Sequence, residues 1–393
     1  MPDTLGRREF LDVVRTISIL QVILFHVLFG VFSYGEGDSA LGLISRMPNW
    51  MTFAWQPLGV DAIFLVSSFL LTSALLDEHK RFGCINVKAY FLKRLSRILP
   101  LYYLALFLFQ LGTPFDPLQF VLSAVFLGVT LGVGNVIPVG WSMEAMMIFY
   151  LVLPSLVILI LNFSRRLLIL GVVVLLVTAS RITYLHFAEI SASRIYLDFY
   201  QGLGASDAAQ QLYYHPWFRL SPFLIGMGLA FIFHQKSNET SQPSQRRLGL
   251  LGLIIMIVCC FSPVQLENSW LYQFPEFILT VYFGASPTIF ALALAMIMWN
   301  PIVSGAEWVR PVGKICTNVS KCIFGIYLFH MPFLIIAAVI VLRSTDKMQL
   351  ATISPFQTWA TFALTAVISI AFANFLFRFV ESPITLWLRR RAA

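Results

Sequence analysis

A histidine stands inside the first long apolar run of the chain. The run reads EFLDVVRTISILQVILFHVLFGVF, from Glu9 to Phe32, and it carries Asp12, Arg15, Gln21 and His26. Imidazole is the side chain whose ordinary pKa lets it exchange a proton near neutrality. A histidine held there is therefore a candidate general base toward a hydroxyl. Ionisable groups in lipid are expensive and face a protein interior or a wet cavity. Arg15 and His26 lie eleven residues apart. At about 100° per residue that is three turns with roughly 20° of drift, so the two share a helix face, about 16 Å apart along the axis. A polar seam thus runs from one membrane surface into the far half of the bilayer. The plainer readings are a helix-packing hydrogen bond for His26 and snorkelling for Arg15.

Further chemistry-bearing residues follow in order. GVDAIFLVSSFLLT puts Asp61 and Ser67 inside a second apolar run. RLSRILPLYY places Arg94 and Arg97 three residues apart at a membrane surface. GWSMEAMMIFYLVLP supplies Trp141, Ser142, Glu144 and Tyr150. Trp141 and Tyr150 also fit an interfacial aromatic belt, the reading favoured for Trp141. FGIYLFHMP carries His330 deep in an apolar run. In FRFVESP, Arg378 and Glu381 are spaced for a structural ion pair. The five cysteines show neither metal-ligand spacing nor a disulfide framework, and no metal site is expected.

These residues need helices in a bilayer to position them. The chain has 393 residues, 58% hydrophobic and 12% charged, with mean hydropathy +0.80. Soluble domains carry about 25% charged residues, so the composition implies an all-α, polytopic membrane bundle. The whole chain, 1–393, reads as one integral-membrane domain. The net charge of +8 implies no nucleic acid, because the basic residues gather in short loops. Eleven apolar segments are expected: 10–33, 53–76, 98–112, 117–133, 142–162, 166–187, 218–235, 248–263, 277–299, 321–343 and 357–380. Five basic regions, 77–97, 163–166, 235–247, 300–321 and the tail Arg389–Arg391, should all be cytoplasmic. Three segments separate the first two, so one of them does not cross. The choice falls on 117–133, which is short, glycine-bearing and followed by Pro138. It is expected to be a re-entrant or half-helix on the outer side. That leaves about ten crossings, both termini inside, and a main outer loop over 188–217.

Taken together, the ordered motifs resemble the membrane acyltransferase-3 family, over nearly the whole chain. The match runs from the Leu-Asp…Arg…His span through Asp61, Arg94-x-x-Arg97-x-x-Pro100, Trp141-Ser142 and Tyr327…His330-x-Pro332 to Glu381-x-Pro383. The resemblance implies transfer of an acyl group, often acetyl from acetyl-CoA, to hydroxyls of carbohydrates, lipids or small molecules. It makes His26 the catalytic histidine and Arg15 its partner, and it assigns Arg94 and Arg97 to the donor site, with Arg15 counted among the donor-binding residues. Two positions depart from the pattern. Ser68 replaces a usual glycine, and Met146 and Met147 stand where carboxylates are usual. Glu144 shares a helix face with position 147 and is the candidate substitute.

The expected chemistry is then an imidazole at His26, with Asp61 and Glu144 delivered to similar depth. A carboxylate on one ring nitrogen fixes the tautomer and makes the other a better base. Asp12, Ser67, Trp141, Ser142, Tyr150 and His330 complete the candidate set. Acyl-CoA is expected as donor substrate with no bound cofactor, membrane lipid as surroundings, and a carbohydrate or lipid-linked molecule as acceptor. A bacterial inner membrane is the expected location. Two other classes fit weaker features. A transporter would use the seam as a substrate path, although no internal repeat is visible. A non-catalytic sensor would keep the fold without the chemistry.

Overall fold

The computed structural model describes residues 4–34, 58–188, 207–236, 243–260, 274–345 and 353–392. Among them there are helices and turns and no strand. In chain order the helices are α1 Thr4–Tyr34, α2 Gly59–Phe82, α3 Val87–Gln110, α4 Pro117–Ala124, α5 Gly140–Leu161, α6 Arg166–Phe187 and α7 Asp207–Tyr214. A 3-10 turn, Pro216–Arg219, leads into α8 Leu220–Lys236. Then come α9 Pro243–Cys260, α10 Glu276–Ser304, α11 Arg310–Lys321, α12 Ile323–Leu342, α13 Pro355–Leu376 and α14 Ser382–Ala392. Eight helical stretches are long and apolar enough to cross a membrane. Helices α3 and α9 are the two further long ones, in keeping with about ten crossings. Of the expected outer loop, residues 189–206 lie outside the described residues, as do 53–57 and 261–263 of two expected spans.

Local chemistry sets the boundaries that matter for the site. Asn86 caps α3 by accepting from the Ala89 N–H at 2.9 Å, and Gly83 closes α2 at φ 72°. The loop expected over 77–97 is therefore a four-residue turn, and Arg94 and Arg97 sit on the first half of α3. Pro154 lacks an N–H, so it leaves the Tyr150 carbonyl without its usual helical donor. The Tyr90 hydroxyl donates to that carbonyl instead, at 3.1 Å, and ties α3 to α5. The basic stretch expected as a loop over 300–321 is largely the amphipathic helix α11. It packs along the start of α1, where a Cβ on Gly313 would meet the Glu9 side chain at 2.9 Å.

The expected half-helix is present. Helix α4 has eight residues, capped by Asp116, which accepts from the Leu118 and Gln119 N–H groups. Residues 125–139 then fold back without regular helix, through positive φ at Phe126, Gly132 and Gly134. The return is too tight for a side chain at Gly128, whose Cβ would stand 2.0 Å from the Gly134 carbonyl oxygen. Irregular backbone at this depth needs internal partners. Tyr102 on α3 donates to the Ser123 carbonyl at 2.8 Å, and the Val136 N–H donates to the Ser123 hydroxyl at 3.1 Å.

At the centre, Phe64 on α2, Phe223 on α8 and Phe149 on α5 stack at 4.3 Å spacings. Ser68, the residue in place of glycine, donates to the Phe223 carbonyl and joins α2 to α8. Helices α2 and α8 also approach closely at Gly226, where a Cβ would lie 2.3 Å from the Leu65 carbonyl oxygen.

Candidate active site

The partner of His26 is not a carboxylate but a second histidine. His26 on α1 and His330 on α12 approach with Nδ1 of the first 3.2 Å from Nε2 of the second. Each Nδ1 also faces a backbone carbonyl of its own helix: His26 lies 2.8 Å from Val22 O, and His330 lies 2.7 Å from Tyr327 O. Carbonyl oxygens only accept, so in a neutral pair both Nδ1 atoms carry the proton. His330 Nε2 is then an acceptor and shares the His26 Nδ1 proton with Val22 O. The same assignment leaves His26 Nε2 with a bare lone pair, the form a general base requires. His330 is fully buried, whereas His26 is only half-buried.

The two carboxylates expected at His26 are engaged elsewhere. Asp61 forms a salt bridge with Arg219 at 3.0 Å, both side chains almost fully buried at 0% and 3% exposure. Arg219 also donates to the Tyr213 carbonyl at 2.7 Å and stacks over the rings of Tyr213 and Trp141. Glu144 accepts from the Val129 N–H at 2.9 Å, the Thr130 N–H at 2.6 Å and the Thr130 hydroxyl at 2.5 Å. It is the internal partner of the returning half-helix. Trp141 is 5% exposed and packed on Tyr213 and Tyr214, so it is not an interfacial belt residue. Glu381 pairs with Arg97 at 3.1 Å rather than with Arg378.

The arginines, by contrast, converge, and Arg15, expected as the partner of His26, is engaged with Ser320 and Asp12 instead. Arg15, Arg94 and Arg97 line one cavity of about 250 Å³ with Ser67, Met146, Tyr150, Ser142 and Tyr327. Arg15 is held by Ser320 on α11, to whose hydroxyl it donates at 2.8 Å, with Asp12 at 3.8 Å. Asp12 itself accepts from the Thr317 hydroxyl at 2.8 Å. Arg97 donates further to the Lys321 carbonyl at 3.3 Å. Ser142 and Tyr327 join hydroxyl to hydroxyl at 2.5 Å. His26 and His330 are not among the lining residues. The link is Tyr327, which lines the cavity and whose carbonyl accepts from His330. Tyr327, one turn before His330, entered the sequence reading only as part of the resemblance, with no role, and Arg219, after a Pro-Trp-Phe turn, did not enter it.

Among the described residues no group of three His, Cys, Asp or Glu side chains is arranged to hold a metal ion. The arrangement can position an anionic group at three guanidiniums and abstract a proton at one imidazole nitrogen.

Comparison with known proteins points the same way. The sequence model of the acyltransferase-domain family matches residues 8–378. The peptidoglycan O-acetyltransferase OatA of Listeria monocytogenes is 23% identical over 379 residues, which cover 89% of this chain and 55% of that relative. A putative O-acetyltransferase of Staphylococcus aureus is 21% identical over 404 residues, covering 95% and 56%. The O-acetyltransferase OatA of the same species is 22% identical over 399 residues, again covering 95% and 56%. The chain therefore spans about half the length of the curated relatives it matches. No solved structure matches it.

Proposed function

The chain is a membrane acyltransferase of the acyltransferase-3 family, and on that footing we propose that it moves an acetyl group from acetyl-CoA to a hydroxyl acceptor. The acceptor class is a carbohydrate, a glycolipid or a small polyhydroxy molecule. The observation that carries the reading is the His26–His330 pair, joined through Tyr327 to an arginine-walled cavity.

The donor phosphates lie at Arg94, Arg97 and Arg15, because planar guanidinium forks suit phosphate oxygens. The uncharged arm bearing the thioester lies along the Ser67, Met146 and Tyr150 wall. The acceptor hydroxyl gives its proton to His26 Nε2 as its oxygen attacks the thioester carbonyl carbon. Collapse of the tetrahedral adduct breaks the carbon–sulfur bond, and the departing sulfur takes the proton from the imidazolium. His330 and the Val22 carbonyl hold the His26 tautomer, the role a carboxylate plays in a serine-hydrolase triad. Asp61 and Glu144 are positioning residues in this scheme. Asp61 anchors Arg219 beneath Trp141, and Glu144 fixes the returning half-helix.

A donor titration at saturating acceptor tests the arginines. Arg94→Ala should raise the acetyl-CoA KM about tenfold or more and leave the acceptor KM nearly unchanged. Each charge-assisted contact is worth roughly 1.5–3 kcal/mol. Arg94→Lys should recover only part of the loss, since an ammonium offers a point charge instead of a fork. Arg97→Ala carries a second effect, because it strips Glu381 of its partner. An unchanged donor constant in Arg94→Ala would return this arginine to a topology signal.

The loop charges further support both termini on the cytoplasmic side of a bacterial inner membrane, with the arginine-walled cavity facing the donor pool. Cysteine substitutions at Ser164 and at Leu131, an exposed position of the return, test this orientation. A membrane-impermeant thiol reagent outside intact cells should label position 131 and spare position 164, while labelling of position 164 would mean that the half-helix crosses.

A further inference from the structure

A second cavity lies on the opposite side of the first turn of α5. The arginine-walled cavity reaches this turn at Ser142 and Met143. The second, of about 540 Å³, reaches it at Pro138 and Trp141. Its remaining wall is the returning half-helix, including Gly134 and Asn135, and α7, through Gln210, Gln211 and Tyr214. Its volume falls within the range of small-molecule sites.

The chemistry of this wall is specific. Among the described residues, none that lines it is Asp, Glu, Lys, Arg or His. Two neighbouring charges are already engaged: Glu144 by the Val129 and Thr130 N–H groups, and Arg219 by Asp61. Burial also holds His215, just past α7, below its ordinary pKa, against the pull of Glu144, so it adds no charge at neutral pH. What remains is amide and aromatic surface. The Asn135 side chain is committed to structure: its oxygen accepts from the Ile137 N–H at 2.9 Å and its nitrogen donates to Tyr102 at 3.4 Å. Gln210 and Gln211 take no side-chain partner among the described residues, and each offers a donor pair and an acceptor. Trp141 and Tyr214 pack at 5.5 Å and present aromatic surface with polar tips. Adjacent hydroxyls match amides, and the C–H faces of a pyranose ring match aromatic rings.

We propose that this cavity binds the acceptor and that the acceptor is an uncharged glycan, engaged by Gln210, Gln211 and Tyr214 beside Trp141. The proposal rests on the acyl-transfer reading and names its substrate class. Donor and acceptor then approach α5 from opposite sides, with Ser142 facing one cavity and Trp141 the other.

The test separates binding from chemistry. Purified His26→Ala protein in lipid nanodiscs is titrated calorimetrically with an N-acetylglucosamine tetramer, and in parallel with a hexuronate tetramer. The neutral tetramer should bind, and Gln211→Ala or Tyr214→Ala in the same background should weaken it tenfold or more. The charged tetramer should bind at least tenfold more weakly than the neutral one. In catalytically competent protein, Gln211→Ala should raise the acceptor KM about tenfold at an unchanged acetyl-CoA KM. Absence of neutral-tetramer binding, equal affinity for the charged tetramer, or binding indifferent to both substitutions overturns the site. Binding as expected, without acetyl transfer in the intact protein, overturns the acyl-transfer reading and leaves the glycan site standing.

Discussion

His26→Ala is expected to abolish acyl transfer while the protein still inserts and accumulates. Loss of a general base typically lowers a rate on the order of 10²–10⁴, and here the lost atom is the one ring nitrogen of the pair without a partner among the described residues. The packing consequence is small, because His26 is half-buried and its neighbour His330 keeps the bond from its own Nδ1 to Tyr327. The check is initial-rate acetyl transfer by wild type and variant, with folded protein matched by size-exclusion chromatography. Activity within a few-fold of wild type would remove His26 from the chemistry. His330→Ala should show a smaller fall, since the Val22 carbonyl still holds the His26 tautomer at 2.8 Å.

The second large effect falls on stability. Asp61→Ala leaves the guanidinium of Arg219 buried without its countercharge, and breaking such a pair typically costs about 3–5 kcal/mol. The variant should lose folded yield in mild detergent or show a strongly lowered Tm. The double variant Asp61→Leu with Arg219→Met should regain much of that loss, because replacing a whole buried pair by apolar groups of similar size is often close to neutral. Fluorescence-detected size-exclusion chromatography across a temperature series reads both. An Asp61→Ala protein with wild-type thermal stability and no transfer activity would instead place the carboxylate in the reaction.

Much of the fold was legible because bilayer crossings announce themselves by length and apolar content. The half-helix was legible from loop charge, through the parity of crossings between Arg97 and Arg165. The nearness of Arg15, Arg94 and Arg97 was partly legible, because loop charge assigns them to one membrane surface and similar depth brings residues near. What was not legible was who faces whom in the interior. A helix apolar on all sides gives no amphipathic signal to orient it. Helical spacing put Asp61 and Glu144 at a plausible depth, but the residues that claim them, Arg219 and the backbone of Val129 and Thr130, come from other segments. The same holds for His330, 304 residues from His26. Glu381 shows a local cause. Residues Phe377–Glu381 form a π-helical turn, whose wider winding changes the i,i+3 register assumed for Arg378. Glu381 instead pairs with Arg97 on α3. Trp141 was misread because an aromatic near a helix end looks alike whether it meets headgroups or an arginine beneath it.

The most direct test of the account uses purified protein in sealed proteoliposomes. Labelled acetyl-CoA is supplied outside, and a neutral N-acetylglucosamine tetramer is trapped in the lumen. Acetyl-CoA does not cross the bilayer, so only molecules with the arginine-walled cavity facing outward can take it up. Free thiol should be released outside and an acetyl ester should form on the trapped tetramer, both lost in His26→Ala. No thioester consumption, or an ester formed only when donor and acceptor share one compartment, would contradict it.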